Sequence, residues 1–129
     1  MGKSAVIAII NYNGKILLGK KRRDSYKVLA GHWHVPGETV EEGETDESAL
    51  IRGVKEETGL DITVGRYIGC SITPTSHKQA RWYECFATSD KAIPGSDLEE
   101  VRWVFRNSVL TECGQKSIEW PDDIKDYFS

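Results

Sequence analysis

The first half of the chain carries two short apolar runs. Residues Ser4 to Ile10 are almost continuously apolar and rich in β-branched side chains, and a second run extends from Lys15 to Lys20. The segment between them, residues 11–14, ends in Asn-Gly, a pair typical of tight hairpin turns. The pattern therefore predicts a buried strand and a second strand joined to it as a β-hairpin.

Further strands are predicted at four places: His32–Pro36, Asp61–Thr73 with a kink at Gly65 or Gly69, Gln79–Thr88, and Glu99–Phe105. Residues Thr111–Lys116 are predicted as a polar linker. A short helix follows, with Pro121 at its first position and with aromatic residues that dock it on the sheet.

An amphipathic helix is predicted between Thr45 and Gly59. Thr45 can cap its N-terminus, and Asp46 and Glu47 lie in the first turn, where the helix dipole favours anions. Gly59 is a typical C-terminal stop. At about 100° per residue, one arc forms the predicted core face, made of Leu50, Ile51, Val54 and Thr58.

The opposite arc of this helix carries the candidate chemistry. It presents Arg52, Glu56 and Glu57, separated by the small residues Ala49 and Gly53. Mg²⁺ prefers one or two protein carboxylates together with water and phosphate oxygens. Arg52 lies one turn before Glu56, so it can fix that carboxylate in a ligating rotamer. A purely solvated acidic face is the alternative, but it does not account for the acidic, glycine-containing loop at residues 37–44.

Composition limits the class of protein. The 129 residues suit one domain, and 39% apolar and 29% charged residues are ordinary for a soluble globular chain. A net charge of −3 provides no basic field for nucleic acid or for an anionic membrane. Three widely spaced cysteines favour reduced thiols, and the apolar run at residues 5–10 is too short for a signal sequence or a membrane span. We therefore expect a soluble cytoplasmic protein without a nucleic-acid or membrane partner.

A local basic run, Lys20 to Arg23, contrasts with the negative net charge. It is either a solvated strand end or a place where one or two side chains meet an anion, since guanidinium groups bind phosphate bidentately. The role of Trp33 is likewise undecided between packing in the core and stacking on a base. His32 and His34 flank it, but no cysteine or further histidine lies nearby to complete a metal site, so we expect structural roles for both.

The stretch from Glu38 to Leu60 resembles the signature of the Nudix hydrolase family, G-x5-E-x7-R-E-U-x-E-E-x-G-U, in which U is a bulky apolar residue. Seven of the nine defined positions match at the right spacing: Glu44, Arg52, Val54, Glu56, Glu57, Gly59 and Leu60. Two positions depart from the signature. Its opening glycine is Glu38 here, although Gly37 stands just before it, and the glutamate after the arginine is Gly53.

The resemblance implies an α/β fold over residues 1–129, an α/β/α sandwich with a mixed β-sheet. It also implies hydrolysis, dependent on Mg²⁺ or Mn²⁺, of the pyrophosphate bond in a small nucleotide substrate, a nucleoside diphosphate linked to another group. The implied metal ligands are Glu56, Glu57, the carbonyl of Gly37 and a carboxylate just ahead of the Arg-Trp-Val segment of the last strand, Glu100 or Glu99, with Asp97 a weaker candidate.

The resemblance assigns further roles around these ligands. Arg52 would orient the carboxylates, and Glu44 would position the loop or a metal-bound water. Arg22 or Arg23 would bind substrate phosphates, because family members often carry an arginine near this point. Selectivity among nucleotides is expected in the loops at residues 24–31, 74–78 and 89–98. Many family members are dimers, so the resemblance leaves open whether this chain forms a homodimer.

The departure at Gly53 concerns the chemistry directly. Members with the full signature use the glutamate at this position as a metal ligand and in some cases as the base. Either another carboxylate acts as base, with Glu44, Glu99 and Glu100 eligible, or turnover is weakened and the chain is a nucleotide-binding or sensor module. A plain acidic α/β interaction domain is a third hypothesis, which the spacing match disfavours.

Overall fold

The computed structural model describes residues 4–24, 31–72 and 77–129. In this part of the chain, seven strands form one mixed sheet: β1 (Ala5–Tyr12), β2 (Lys15–Lys21), β3 (Trp33–His34), β4 (Gly37–Thr39), β5 (Ile62–Ile72), β6 (Gln79–Ala87) and β7 (Leu98–Phe105). The helices are α1 (Asp46–Thr58), α2 (Val109–Cys113) and α3 (Asp122–Tyr127), with 3-10 turns at Arg106–Ser108 and Gly114–Ser117.

Strand β1 lies at the centre of the sheet. It pairs in parallel with β6, from Ala5 opposite Ala80 to Asn11 opposite Phe86, and antiparallel with β2 and β4. Its middle residues, Val6 to Ile10, are buried, as expected for a continuous apolar run covered on both faces. The predicted hairpin of β1 and β2 is confirmed, with Asn13 and Gly14 at its turn in the left-handed region.

Successive side chains of β1 point to opposite faces of the sheet, and those of Val6 to Ile10 are all apolar. Helices therefore cover both faces. Ile7 and Ile9 pack in one core with residues of α2 and α3, and this core includes Trp82, Trp120 and Phe128. On the other face, Val6, Ala8 and Ile10 pack with Leu50 and Val54 of α1. The predicted α/β/α sandwich with a mixed sheet is therefore confirmed.

Local capping chemistry fixes the ends of α1 as predicted. Thr45 is extended (φ −85°), and its hydroxyl accepts a hydrogen bond from the Ser48 N–H, while the Thr45 N–H donates to the Ser48 hydroxyl. This reciprocal arrangement satisfies two donors at the helix start. At the other end, Gly59 adopts φ 73° and donates its N–H to the Lys55 carbonyl.

The predicted core face of α1 is partly wrong. Ile51, placed on that face, is 43% exposed, whereas Ala49, Gly53 and Glu57 are buried. The helix packs against β4, the central strand and β5. The segment after β6 contacts its C-terminal end, where the Ile93 N–H donates to the Thr58 carbonyl at 2.9 Å. In that segment the Gly95 N–H donates to the Glu57 carbonyl at 2.8 Å. These tertiary contacts turn the buried arc toward Gly53 and Glu57.

Two further expectations need correction. Gly37–Thr39, expected in a loop, forms strand β4, with Gly37 opposite Ile7 of β1. A Cβ at Gly37 would lie 3.2 Å from the Val6 carbonyl oxygen, so glycine suits this close pairing. Residues 111–116, expected as a polar linker, belong to α2 and to the 3-10 turn that follows, because Val109 and Cys113 are buried one helical turn apart.

The remaining expectations concern β5, Pro121 and two loop segments. Strand β5 shows register shifts near the predicted kink, between Val64 and Gly69. Pro121 immediately precedes α3 instead of occupying its first position. The loop segments 25–30 and 73–76 lie outside the described residues. No helix in the described ranges is long and apolar enough to cross a membrane.

The N-cap of α1 gives a test of stability. Thr45→Ala removes the hydroxyl that accepts from Ser48, so the free energy of unfolding should fall by about 1 kcal/mol in urea titrations. Thr45→Ser keeps an acceptor in the same place and is the matched control, with a smaller effect expected. Equal losses in both variants would contradict this role for the hydroxyl.

Candidate metal and phosphate site

The guanidinium of Arg52 joins the acidic segment before α1 to the helix itself. Its Nε and Nη2 donate to the two carboxylate oxygens of Glu44, at 2.8 and 2.9 Å. Nη1 donates to Glu56 at 2.9 Å, and Nη2 also donates to the Thr39 carbonyl at 3.0 Å. The rigid fork of an arginine is suited to this bidentate pairing, which lysine could not reproduce.

Glu44 is held as an anion. Besides the two bonds from Arg52, its carboxylate accepts the Glu41 N–H at 2.8 Å. The hydrogen bonds from Arg52, followed by the one from Glu41, lower the pKa of Glu44 to about 2. A general base works best with a pKa near the working pH, so this pairing makes Glu44 a poor base near neutrality. Its contacts favour a role in positioning the segment.

The neighbouring carboxylates Glu56 and Glu57 have different surroundings. The Glu56 side chain is 54% exposed at the outer side of α1 and is paired with Arg52. The Glu57 side chain is 6% exposed and lies in a narrow crevice that Gly37, Glu38 and Gly53 also line. A successive pair on a helix therefore offers one carboxylate inside the crevice and one at its rim.

Lys21 is the cation nearest to Glu57 among the ion pairs of the described residues. Its Nζ lies 3.9 Å from Glu57 Oε2 and donates to both carboxylate oxygens of Asp97, at 3.1 and 3.2 Å. Lys21 thus links β2 to α1 and to the start of β7. A buried carboxylate is costly without such a partner, so Lys21 compensates Glu57.

A β-bulge decides which of the carboxylates before and within β7 lies beside Lys21. Between Lys20 and Lys21 the pairing of β2 with β7 shifts, so that Lys20 lies opposite Glu100 and Lys21 opposite Leu98. Glu100 is exposed, and Glu99 pairs with Lys20 at 4.0 Å and with Arg23 at 3.6 Å. Asp97, which the sequence ranked below Glu99 and Glu100, is the one that shares Lys21 with Glu57.

The two arginines of the basic run lie on the surface. Arg22 donates from Nε and Nη2 to Asp24, at 3.1 and 3.0 Å, and this exposed pair raises the pKa of Arg22. The side chain of Arg23 is 74% exposed, and its backbone N–H donates to Glu99. The sequence singled out these arginines within the run, whereas the structure brings Lys21 closest to the crevice.

Trp33 and His34 belong to the core on the side of α2 and α3. Trp33 is partly buried against that core, and the Arg102 guanidinium lies 4.3 Å from its ring centroid. His34 packs against Trp82 and Trp120, and burial lowers the pKa of His34 to about 4. The structure thus places both residues on the sheet face opposite α1.

The donor set on the α1 side fits a hard divalent cation. Its donors are carboxylate and carbonyl oxygens on two facing elements, β4 and α1, which suits Mg²⁺ or Mn²⁺ better than softer metals. As they stand, no three Asp, Glu, His or Cys side chains of the described residues converge closely enough to hold an ion. In this arrangement Glu56 accepts a hydrogen bond from Arg52, and Glu57 lies 3.9 Å from Lys21 Nζ.

Comparison with known sequences identifies a family. A NUDIX domain model matches residues 2–121. The CTP pyrophosphohydrolase of Escherichia coli (strain K12) is 43% identical over 63 residues, which are 49% of this chain and 45% of that protein. The ADP-ribose pyrophosphatase of Methanocaldococcus jannaschii is 43% identical over 70 residues, 54% of this chain and 40% of that protein. These matches span less than half the length of each relative.

Solved structures agree with the fold. A NUDIX hydrolase from Nitrosomonas europaea superposes with a TM-score of 0.77 at 22% identity, covering 98% of this chain and 69% of that one. A MutT protein from Methanosarcina mazei Go1 superposes with a TM-score of 0.74 at 24% identity, covering 98% of this chain and 89% of that one. At such identities the likeness shows a shared fold.

The pair formed by Glu44 and Arg52 predicts a specific acid sensitivity. The pKa of Glu44 falls from an ordinary 4.5 to about 2 on folding, so the unfolded chain binds more protons between these values. The stabilisation is therefore present above about pH 4.5 and is lost as the pH falls toward 2. Glu44→Gln should flatten the decrease in melting temperature over this range.

Thermal melts at steps of pH measure this effect, and Arg52→Gln provides the reciprocal variant. Because it removes the guanidinium that lowers the pKa of Glu44, it should flatten the same part of the curve. If the melting temperature of both variants falls as steeply with pH as that of the wild type, the proposed origin of the acid sensitivity is contradicted.

Proposed function

The chain belongs to the Nudix family, and on that basis we propose that it hydrolyses the pyrophosphate bond of a nucleoside diphosphate linked to a second group. One observation carries the proposal. Glu57 is kept as a buried carboxylate beside the exposed Glu56, and Arg52 fixes their helix to the acidic segment. Burying a carboxylate in this way is costly for stability, which favours a role in function. The names of the two relatives, a pyrophosphohydrolase and a pyrophosphatase, support the same reaction class.

The proposed cofactor is Mg²⁺ or Mn²⁺, held by Glu56, Glu57 and the carbonyl of Gly37, with Glu100 as a further ligand from β7. A bound divalent ion would neutralise the charge that develops on phosphate oxygens. Arg52 binds Glu44 through two hydrogen bonds and Glu56 through one. Glu56 can therefore turn toward a cation while Arg52 still holds Glu44 and the loop.

Phosphate binding is assigned to the basic run at the end of β2. Arg22 and Arg23 are exposed and carry the guanidinium groups that pair with phosphate oxygens. Lys21 stays close to Glu57 and Asp97, which suits it to hold the acidic residues in place. Trp33, packed on the opposite sheet face, remains a prediction as a base-stacking residue.

A second function is favoured by Gly53. Without a glutamate at this position of the helix, the chain could bind nucleotides with little turnover, as a binding or sensor module. The base is also unassigned among the candidates, and the low pKa of Glu44 leaves Glu99 and Glu100 as those to test. A cytoplasmic setting fits the three cysteines, all of which are free thiols.

Metal binding is tested by titrating Mn²⁺ into the wild type and into Glu56→Gln/Glu57→Gln. The double variant should bind Mn²⁺ at least about tenfold more weakly, because it removes two charged ligands. Glu42→Gln/Glu47→Gln removes the same charge from exposed positions and is the matched control. Equal affinity in all three proteins would remove the metal site.

Turnover is tested with a panel of nucleotides in Mg²⁺ or Mn²⁺, scored by chromatography of the products. The panel includes CTP and ADP-ribose, which the relatives' names suggest, with an oxidised nucleotide and a dinucleoside polyphosphate. We expect cleavage of at least one substrate by the wild type and loss of cleavage in Glu56→Gln/Glu57→Gln. Tight binding without cleavage across the panel would favour the binding module.

Replacing Arg22 or Arg23 by alanine should weaken nucleotide affinity by up to about tenfold, since each change removes a charge-assisted hydrogen bond at an exposed, salt-screened position. Mn²⁺ affinity should not change, because Arg22 pairs with Asp24 and Arg23 with Glu99, neither of which is among the proposed ligands. Lys55→Ala, on the outer face of α1, is the control for loss of a positive charge. Unchanged nucleotide binding in both arginine variants would make the run a solvated strand end.

A further inference from the structure

The side chain of Glu38 fills the space above Gly53. A Cβ built on Gly53 would lie 2.6 Å from both Cβ and Cγ of Glu38 and 3.0 Å from its Oε2. Real Cβ atoms do not approach other carbons so closely, so only one of these two facing positions can carry a side chain in this arrangement. Glu38 projects from β4, and its carboxylate thus lies where the side chain of a residue at position 53 of α1 would project.

This carboxylate lies at the proposed metal site. Gly53 is one turn before Glu57 on the same face of α1, and both line the crevice with Gly37 and Glu38. The Nη1 atom of Arg52 is 3.7 Å from Glu38 Oε2 and 2.9 Å from Glu56 Oε1, so one nitrogen faces both carboxylates. Glu38 is therefore a neighbour of Glu56 and of Glu57.

The orientation of Glu38 leaves one oxygen available to the site. Oε1 accepts the Thr39 N–H at 2.9 Å, which anchors the carboxylate to β4. Oε2 is directed toward Gly53 and lies 3.7 Å from Arg52 Nη1, a longer ion pair than the one between Arg52 and Glu56. An anchored carboxylate with one oxygen directed into a crevice is well arranged to ligate a cation.

The two departures from the family signature are reciprocal. The signature has glycine at position 38 and glutamate at position 53, whereas this chain has Glu38 and Gly53. Taken singly, the departure at position 53 looks like the loss of a metal ligand. The contact between them shows instead that the chain keeps one glycine and one glutamate at the same place in space, with the carboxylate supplied by the strand.

We propose that Glu38 is a metal-ligating residue and supplies from β4 the carboxylate that position 53 lacks. This inference rests on the metal site of the proposed function. It also predicts that Gly53→Glu by itself adds no metal ligand. The new side chain would collide with Glu38 at 2.6 Å and would place another negative charge beside it.

The first test compares Glu38→Gln with the wild type. Glutamine keeps the volume above Gly53 and an oxygen to accept the Thr39 N–H, but it removes the charge. Mn²⁺ affinity should fall at least about tenfold, while the melting temperature without metal stays close to that of the wild type. Glu42→Gln, on the exposed turn, should retain wild-type affinity. An unchanged Mn²⁺ affinity in Glu38→Gln would show that Glu38 only fills space.

The second test exchanges the two residues. Glu38→Gly lacks the carboxylate and should bind Mn²⁺ weakly, and Gly53→Glu should lower the metal-free melting temperature through the collision. The double variant Glu38→Gly/Gly53→Glu has the signature residues at both positions. It should regain the metal-free stability that Gly53→Glu loses and the Mn²⁺ affinity and turnover that Glu38→Gly loses, a strong coupling between the two sites.

A double variant that binds Mn²⁺ no better than Glu38→Gly would contradict the proposal that positions 38 and 53 supply the same metal-ligating carboxylate. Glu57→Gln separates this failure from failure of the proposed function. If Glu57→Gln weakens Mn²⁺ binding and Glu38→Gln does not, the metal site stands and Glu38 is not part of it. If neither variant changes Mn²⁺ binding, the metal site itself is wrong and the assignment of Glu38 is wrong with it.

Discussion

The arrangement of the acidic site depends on the guanidinium of Arg52. Four oxygens from three parts of the chain surround it: two from Glu44, one from Glu56 and the carbonyl of Thr39. Without this cation, the carboxylates that it pairs with, Glu38, Glu44 and Glu56, would repel one another between β4 and α1. Because Arg52 belongs to α1 and donates to the Thr39 carbonyl of β4, it ties helix to strand beside the crevice in which Glu57 lies.

Local chemistry explains why much of the fold could be predicted from the sequence. The β-branched run of β1, the Asn-Gly turn and the caps at Thr45 and Gly59 act within a few residues, and the structure confirms each. The errors concern contacts between distant segments. Strand β4 pairs with β1 from thirty residues away, and its packing on α1 buries Gly53 and Glu57 and leaves Ile51 exposed. Helical periodicity indicates that a buried arc exists, but the neighbouring elements decide its direction.

The same distinction applies to the candidate site. Arg52, Glu56 and Glu57 were identifiable because their spacing on one helix is fixed by its geometry. Lys21 could not be separated from its basic neighbours, because a bulge between Lys20 and Lys21 decides which of them turns toward Glu57 and Asp97. Glu38 was missed because a signature is compared position by position along the chain, whereas the overlap with Gly53 exists only in space. The departures at 38 and 53 were both visible; only their contact shows that they belong together.

The overlap between Glu38 and Gly53 also restricts how such a chain can change over time. A move by single substitutions between this arrangement and the one with glycine at 38 and glutamate at 53 has two possible intermediates. One has glycine at both positions and no carboxylate in that place; the other has glutamate at both, with side-chain atoms forced to within 2.6 Å of each other. Neither intermediate keeps the arrangement intact, so lineages should be separated into two groups with few chains between them. Within each group the two positions should be inherited as one unit.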